Sequence, residues 1–168
     1  MKAELYLEKN ISQQPAIELL RAMGYTYISP ADCALQRGSR YHVLLRDILR
    51  GQLRRLNRYT FAGAENEFSA ANIERAMEDL DEPLTDGLVR TSEKIYDALL
   101  LGKSYPETVG EGKTLSFNLK YIDWEHPENN VFHVTEEFAV DSRDKLHNAR
   151  PDIVLFINGI PFLSLIHI

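Results

Sequence analysis

The first hundred residues place apolar side chains at helical spacing. In "PAIELLRAMGY", Ile17, Leu20 and Met23 fall roughly on one face, and Gly24 is a suitable helix end. Ser69 predicts the N-cap of a further helix, "AANIERAMEDLD". The segment "YHVLLRDILRGQLRRLN" predicts a helix with an apolar stripe made of Val43, Leu44, Ile48, Leu49, Leu53 and Leu56.

Other signals mark where this helical region is interrupted and where it ends. "YTYIS" (residues 25–29) is β-branched and aromatic, and predicts a short strand. Thr91 or Ser92 predicts the cap of the helix "EKIYDALLLG", and Gly102 its end. The breakers Pro106, Gly110 and Gly112 then predict a loop. We therefore predict helices mainly before residue 105.

After residue 115 the apolar period changes from helical to alternating. "LSFNLKYIDW" (115–124) and "NVFHVTEEFAV" (130–140) have the period of two that is typical of half-buried strands. "DIVLFI" (152–157) is almost continuously apolar, which predicts a central strand covered on both faces. "NG" at 158–159 predicts a hairpin. The pattern predicts a mixed α/β domain whose sheet is built mainly from residues 115–162.

Composition narrows the class of protein. The 168 residues suit one ordinary domain or a piece of a larger protein, and no apolar run approaches the length of a membrane span. A single cysteine, Cys33, excludes an internal disulfide framework and a multi-cysteine zinc site. We expect a cytoplasmic protein without a membrane partner. The formal charge of -6 argues against coating of nucleic acid through net charge, but it leaves a local basic surface open.

The segment Arg150-Pro151-Asp152 contains a candidate catalytic residue, because it places an acidic side chain at the start of the predicted central strand. Metal-dependent phosphodiester hydrolysis needs carboxylates that share Mg²⁺ and benefits from a nearby lysine. A β-hairpin provides them compactly when an Asp opens one strand and a Glu and a Lys lie two residues apart on the other. Asp152 is therefore the candidate catalytic and metal-binding carboxylate.

At this point the chain resembles a known family. "LKYIDWEHPENNVFHVTEEFAV" followed by "ARPDIVLFINGIP" is similar to the N-terminal nuclease domain of the R (restriction) subunit of type I restriction enzymes. The resemblance covers nearly the whole chain and includes "AIELLRAMGYTYIS", "LRRLN" and "SEKIYDALLLG". It implies an α/β fold of the PD-(D/E)xK (restriction-endonuclease-like) superfamily. In this fold a mixed central sheet is flanked by helices.

The resemblance also implies an activity, cofactors and partners. The full-length subunit is expected to cleave double-stranded DNA in a Mg²⁺-dependent, ATP-driven reaction, within a complex that includes modification and specificity subunits. The chain contains no G-x-x-x-x-G-K-[ST] phosphate loop, so the ATP site is not expected in these residues. The alternative is a catalytically inactive module of the same fold that docks DNA or partner subunits.

The second half of the family's motif is absent. After "NGIP" the family has a strand that ends in "E-x-K", whose Glu and Lys correspond to Ile166 and Ile168 here. "LSLIHI" is also a translation of CTG TCT CTT ATA CAC ATC, an adapter end used in transposase-based sequencing libraries. We therefore expect residues 1–162 to be the N-terminal part of the nuclease domain, truncated at its last core hairpin. Residues 163–168 are then a non-native tail, and the chain as printed is inactive.

Several other charged residues are candidates. Many nucleases of this fold add an acidic residue from an N-terminal helix, and Glu4, Glu8 and Glu18 are candidates, with Glu8 as the choice. A solvated helix face is favoured for each of them taken alone. Of Glu136 and Glu137, alternation allows only one to point inward. Residues 37–58 include seven arginines and only one acidic residue, an aspartate. A DNA-backbone contact and a solvated or interdomain face explain this excess equally well. The candidate DNA-binding residues repeat every four positions, which predicts an arginine stripe along one helix, and are Arg46, Arg50, Arg54 and Arg58.

Histidine and cysteine offer no further site. His42, His126, His133 and His147 lack metal-ligand spacing and are interpreted as surface or packing residues. Cys33 has no base beside it in the sequence, which argues against a nucleophile.

Overall fold

A computed structural model describes residues 12–81, 87–141 and 148–165. The described residues form a mixed α/β protein, as predicted. The helices are α1 Gln14–Ala22, α2 Pro30–Arg37, α3 Arg46–Leu56, α4 Ala70–Leu80 and α5 Leu88–Leu101. The strands are β1 Thr26–Tyr27, β2 Arg58–Phe61, β3 Ala64–Glu67, β4 Lys103–Val109, β5 Lys113–Leu119, β6 Phe132–Glu136, β7 Val140–Asp141, β8 Asn148–Ala149, β9 Ile153–Ile157 and β10 Ile160–Leu165. None of the described helices has the length and apolarity needed to cross a membrane.

The chain divides into two compact units. One, here called the sheet unit, combines the residues up to Arg46 with those from Val131 onward. The other, here called the helix–hairpin unit, is Asp47–Asn130.

The sheet unit is built on a four-stranded mixed sheet with the order β1-β6-β9-β10. β1 runs parallel to β6, while β9 is antiparallel to both of its neighbours. Ile153, Val154 and Phe156 of β9 are buried. The prediction that "DIVLFI" is a central strand is confirmed, because β9 has a hydrogen-bonded partner on each side.

One face of this sheet packs against α1. Ile17 is 4% exposed and joins Val134 and Ile153 in a buried cluster. Burial of an isoleucine side chain of this kind contributes about 1.5–3 kcal/mol. Met23, predicted to share the face of Ile17, is instead 67% exposed. The helix ends at Ala22, and Gly24 turns the backbone away with a φ of 103°, so Met23 leaves the helical face.

The turn between β9 and β10 is held by its own asparagine. Asn158 and Gly159 have φ values of 54° and 84°, which is the left-handed pair that a two-residue hairpin of type I′ requires. Asn158 is fully buried, and its Oδ1 accepts a hydrogen bond from the Val131 N–H at 2.9 Å. Its own N–H donates to the Val131 carbonyl at 2.8 Å. The predicted hairpin is confirmed, and the turn is tied to the strand entrance beside it.

Replacement of this asparagine is expected to be costly. Asn158→Ala leaves the partly buried Val131 N–H without its acceptor and puts an alanine in left-handed backbone. We expect a loss of about 2–4 kcal/mol in the free energy of unfolding, measured by chemical denaturation. The matched control is Ala62→Asn in the β2–β3 turn, where Ala62 has a φ of 49°. There asparagine suits the backbone better and is expected to stabilise slightly. Equal effects at the two turns would contradict this account.

The helix–hairpin unit confirms one predicted cap and corrects another. Ser69 caps α4 and accepts a hydrogen bond from the Asn72 N–H at 3.3 Å. The N-cap of α5 is Gly87, so the prediction of Thr91 or Ser92 is wrong and both lie inside the helix. The helix starts earlier, at Leu88. Gly102 ends it as predicted, with a φ of 76°.

The predicted loop and the extent of the predicted sheet also need correction. Pro106 lies within β4, which pairs with β5 in an antiparallel hairpin along the whole length of both strands. The turn of this hairpin is Gly110–Gly112. Among the described residues, β5 pairs only with β4 and is not part of the four-stranded sheet. The sequence pattern showed that residues 115–119 are a strand, but the partner of a strand depends on tertiary packing.

The loop "DWEHPENN" folds around two polar side chains. The Asp123 carboxylate accepts hydrogen bonds from Asn129 Nδ2 at 2.9 Å and the His126 N–H at 3.3 Å, and Lys120 Nζ lies 3.1 Å away. Asn130 closes the loop, since its side chain bonds both the N–H and the carbonyl of Asp123. The loop is therefore ordered by its own polar residues.

This loop predicts a pH dependence of stability. The hydrogen bond from Asn129, with the bond and charge of Lys120, lowers the pKa of Asp123 from 3.8 to about 2. A carboxyl whose pKa is depressed in the fold stabilises it above the unfolded value and loses that contribution as pH falls. We expect thermal melts of the chain to lose stability between pH 4 and pH 2, partly through this group. Asp123→Asn is expected to flatten that part of the curve, and an unchanged slope would contradict the assignment.

Candidate active site

Asp152 lies at the entrance of the central strand, where its backbone is held from both sides. Its N–H donates to the Leu165 carbonyl at the end of β10 at 3.0 Å. Its carbonyl accepts from the Glu137 N–H, also at 3.0 Å. The preceding Pro151 is buried, and its carbonyl accepts from the Phe138 N–H at 3.2 Å. The backbone at Asp152 is thus hydrogen-bonded to the end of β10 and to the residues that follow β6. These bonds hold its half-buried carboxylate at the strand entrance.

The register of the sheet assigns Asp152 to a face. Val154 is opposite Thr135 on one side and Ser164 on the other. Because side chains alternate along a strand, Asp152 shares the face of Val154 and Phe156. Ile153 belongs to the opposite face, which packs against α1. Asp152 therefore lies on the sheet face away from α1.

The two glutamates at the end of β6 differ in environment. Glu136 is 9% exposed, and its Oε1 accepts a hydrogen bond from the Tyr27 hydroxyl at 3.2 Å. Burial, together with the Glu136 charge, raises the pKa of Tyr27. Glu137 has left-handed backbone with a φ of 51°, and its carboxylate bonds Arg150 at 2.5 Å. Glu136 is therefore the one that points inward, a choice that alternation alone left open.

The described residues supply one strand-borne carboxylate at this position and not a complete metal site. Within residues 12–81, 87–141 and 148–165, no group of three or more His, Cys, Asp or Glu side chains is arranged to hold a metal ion. Glu8, the predicted N-terminal ligand, lies outside the described residues, as do Ile166 and Ile168. Asp152 can serve as one oxygen ligand of a divalent cation.

The predicted arginine stripe is only partly helical. Arg46, Arg50 and Arg54 lie on α3, but Arg58 lies on β2, so the prediction of one helix for all four is wrong. The helix ends at Leu56 because Asn57 leaves the helical period and bonds the carbonyls of Leu53 and Lys120, both at 2.9 Å.

Two of these arginines are engaged by acidic neighbours. Arg50 bonds Glu74 at 2.5 Å and Asp47 at 2.8 Å, and Arg58 pairs with Glu67. Arg54 is exposed. The local excess of positive charge is therefore smaller than the sequence count indicates. The DNA-binding role of these residues stays a prediction.

A comparison with known families identifies the chain at this point. The profile of the family "type I restriction enzyme R protein N terminus" matches residues 5–165. The chain belongs to this family. The family predicted from the sequence is thereby confirmed. No curated protein matches the chain.

Membership in the R protein N-terminus family places the chain in a restriction system, within a multisubunit complex that acts on DNA. The structure shows what two of the segments that carry the resemblance form. "DWEHPENN" is the self-bonded loop of Asp123 and Asn130, and "NG" is the turn of Asn158 and Gly159. These motifs build the scaffold, while Asp152 is the motif residue with a carboxylate at the strand entrance.

Sequence reasoning missed a group of residues on α2. Arg37 is 5% exposed and lies over the Phe138 ring, with 4.1 Å from its guanidinium carbon to the ring centroid. The only signal for α2 itself is Ser29-Pro30, because serine is a good N-cap and proline suits the first helical position. Cys33 on the same helix is buried, and burial raises the pKa of its thiol, which agrees with the prediction against a nucleophile.

Proposed function

We propose that this chain supplies the nuclease core, of the PD-(D/E)xK fold, in the restriction subunit of a type I restriction-modification enzyme. The observation that carries the proposal is the position of Asp152. It opens the central strand of the sheet, and its N–H bonds the Leu165 carbonyl at the end of the returning strand. Family membership supports the restriction system, and the hairpin supports the site.

The register explains how a second carboxylate reaches the same cation. The last pair of the β9–β10 ladder joins Ile153 to Leu165. The family pattern has a glutamate directly after position 165, so in a chain that carries it the next pair is this glutamate and Asp152. Directly opposite side chains have Cβ atoms about 4.5–5.5 Å apart, close enough for two carboxylates to share a cation. The lysine two residues further on shares their face.

Asp152 has a defined role in the proposed reaction. Asp152 contributes one oxygen ligand, and its backbone hydrogen bonds to Leu165 and Glu137 keep that ligand at the strand entrance. When bound, Mg²⁺ lowers the pKa of a coordinated water and stabilises charge on the phosphodiester. We propose that ATP is used by a motor elsewhere in the full-length subunit and that double-stranded DNA is the substrate. Modification and specificity subunits are the proposed partners, in the cytoplasm.

The deciding experiment is Asp152→Ala in the full-length subunit, with DNA cleavage and ATP hydrolysis measured on the same complex. The proposal requires cleavage to be lost while hydrolysis continues.

A second candidate function rests on one observation of this sequence. Ile166 and Ile168 stand where the family pattern has its Glu and Lys. A chain with these residues in its native form keeps the scaffold and one carboxylate, and serves as an inactive module that docks DNA or partner subunits. Genomic DNA downstream of the Phe162 codon distinguishes the two candidates, since an E-x-K there selects the nuclease.

A further inference from the structure

The sheet unit contains a cavity of about 420 Å³ beside α2. Of the described residues, three arginines from separate parts of the chain line it, together with Glu137 and Asp141. They are Arg37 on α2, Arg40 in the segment that follows, and Arg150 before β9.

Arg37 brings a buried donor that has no acceptor. Its Nη2 donates to the Ala139 carbonyl at 2.8 Å, and the Phe138 ring fixes its plane. Its Nε is buried, and none of the described residues offers it a hydrogen-bond acceptor. Buried donors in folded proteins are nearly always paired, so such an exception points to a missing acceptor.

The charge of the lining favours an anion over a cation. Among the lining residues that the structure describes, there are three guanidinium groups and two carboxylates. One of these carboxylates, Glu137, is already bonded to Arg150 at 2.5 Å. Guanidinium groups remain protonated throughout the physiological range, and their planar donors match two oxygens of a phosphate at once. The lining therefore fits a phosphate group better than a metal ion.

The cavity adjoins the entrance of the central strand. Glu137 and Phe138, which line it, donate their N–H groups to the carbonyls of Asp152 and Pro151. Phe138 also packs edge-on against Phe156, with 5.4 Å between ring centroids. Phe156 lies on the sheet face to which the register assigns Asp152. The cavity thus borders the entrance of the central strand and lies on the sheet face to which Asp152 is assigned.

We propose that this cavity is a phosphate-binding subsite, held by Arg37, Arg40 and Arg150, that takes a phosphodiester group of the DNA backbone. The choice of DNA as the source of the phosphate rests on the proposed function. The preference for a phosphate oxyanion rests on the cavity alone.

The test follows the Nε–Hε signals of the arginines by NMR in the chain as it exists. Inorganic phosphate is added at constant ionic strength, without divalent metal, with chloride as the reference anion. We expect saturable shifts of the Arg37, Arg40 and Arg150 signals, while the signal of Arg75, exposed on α4, stays in place. Equal shifts of all four signals, or no saturation, overturn the subsite.

Matched variants and a second ligand complete the test. Arg40→Gln removes an exposed cation and is expected to weaken phosphate binding about tenfold, the loss typical of one charge-assisted hydrogen bond, whereas Arg75→Gln leaves it unchanged. A short DNA duplex is expected to shift the same three signals and to compete with phosphate. If inorganic phosphate binds and the duplex does not, the assignment to DNA is overturned.

This experiment separates the subsite from the proposed function. It measures binding without metal and without cleavage, so its result does not depend on Asp152. If Asp152→Ala leaves cleavage intact while phosphate still shifts the three arginine signals, the proposed function fails and the subsite stands.

Discussion

Asp152→Ala in the full-length restriction subunit is expected to lower DNA cleavage by more than about 100-fold, while ATP hydrolysis by the same complex stays close to wild type. Loss of an outer-sphere partner of a metal ligand already costs about 10–100-fold in affinity or activity, so loss of a direct ligand should cost more. The carboxylate of Asp152 lies at a strand entrance that its own backbone hydrogen bonds define. Those bonds do not involve the side chain, so alanine is expected to leave the strand in place.

The control for this prediction is an acid that is far from the β9–β10 hairpin in sequence and belongs to the other compact unit. Asp97 is exposed on α5 of the helix–hairpin unit, and Asp97→Asn is expected to change neither activity. Cleavage that survives in Asp152→Ala shows that Asp152 is not the metal ligand. Joint loss of cleavage and ATP hydrolysis indicates a folding defect, which thermal melts of the variant identify independently.

Local signals explain why much of the sheet unit was predictable. The apolar run of β9 and the Asn-Gly turn after it each determine their structure within a few residues, and both are confirmed. The turn between β2 and β3 has Ala62 in left-handed backbone, a residue that carries no turn signal, so this hairpin was missed. Pro106 reads as a breaker in sequence but is accommodated in β4.

The candidate site also has one part that the sequence predicts and one part that it does not. Asp152 was recognisable because a short motif and an apolar run surround it in the sequence. The arginine cavity was not, because Arg37 and Arg150 are far apart in the chain and meet only when α2 packs on the sheet. Arg50 shows the opposite case. The sequence predicts a DNA-binding cation there, but in the structure Arg50 bonds Glu74, which is 24 residues away in the chain. Spacing along one element is visible in a sequence, whereas partners across elements are not.

The chain with its printed sequence is expected to bind no divalent cation at Asp152 and to cut no DNA. Mg²⁺ holds near-octahedral geometry and is retained by proteins through more than a single carboxylate. Ile166 and Ile168 supply neither a carboxylate nor an amine. Titration with Mn²⁺, followed by its paramagnetic resonance signal, should show no site that depends on Asp152, and plasmid DNA should stay supercoiled in Mg²⁺. The double variant Ile166→Glu, Ile168→Lys is expected to bind Mn²⁺ at least about tenfold more tightly, because the proposed function requires a second carboxylate opposite Asp152. Adding Asp152→Ala to the double variant should remove that gain. Nicking by the printed sequence that requires both Mg²⁺ and Asp152 would show that other side chains complete the site.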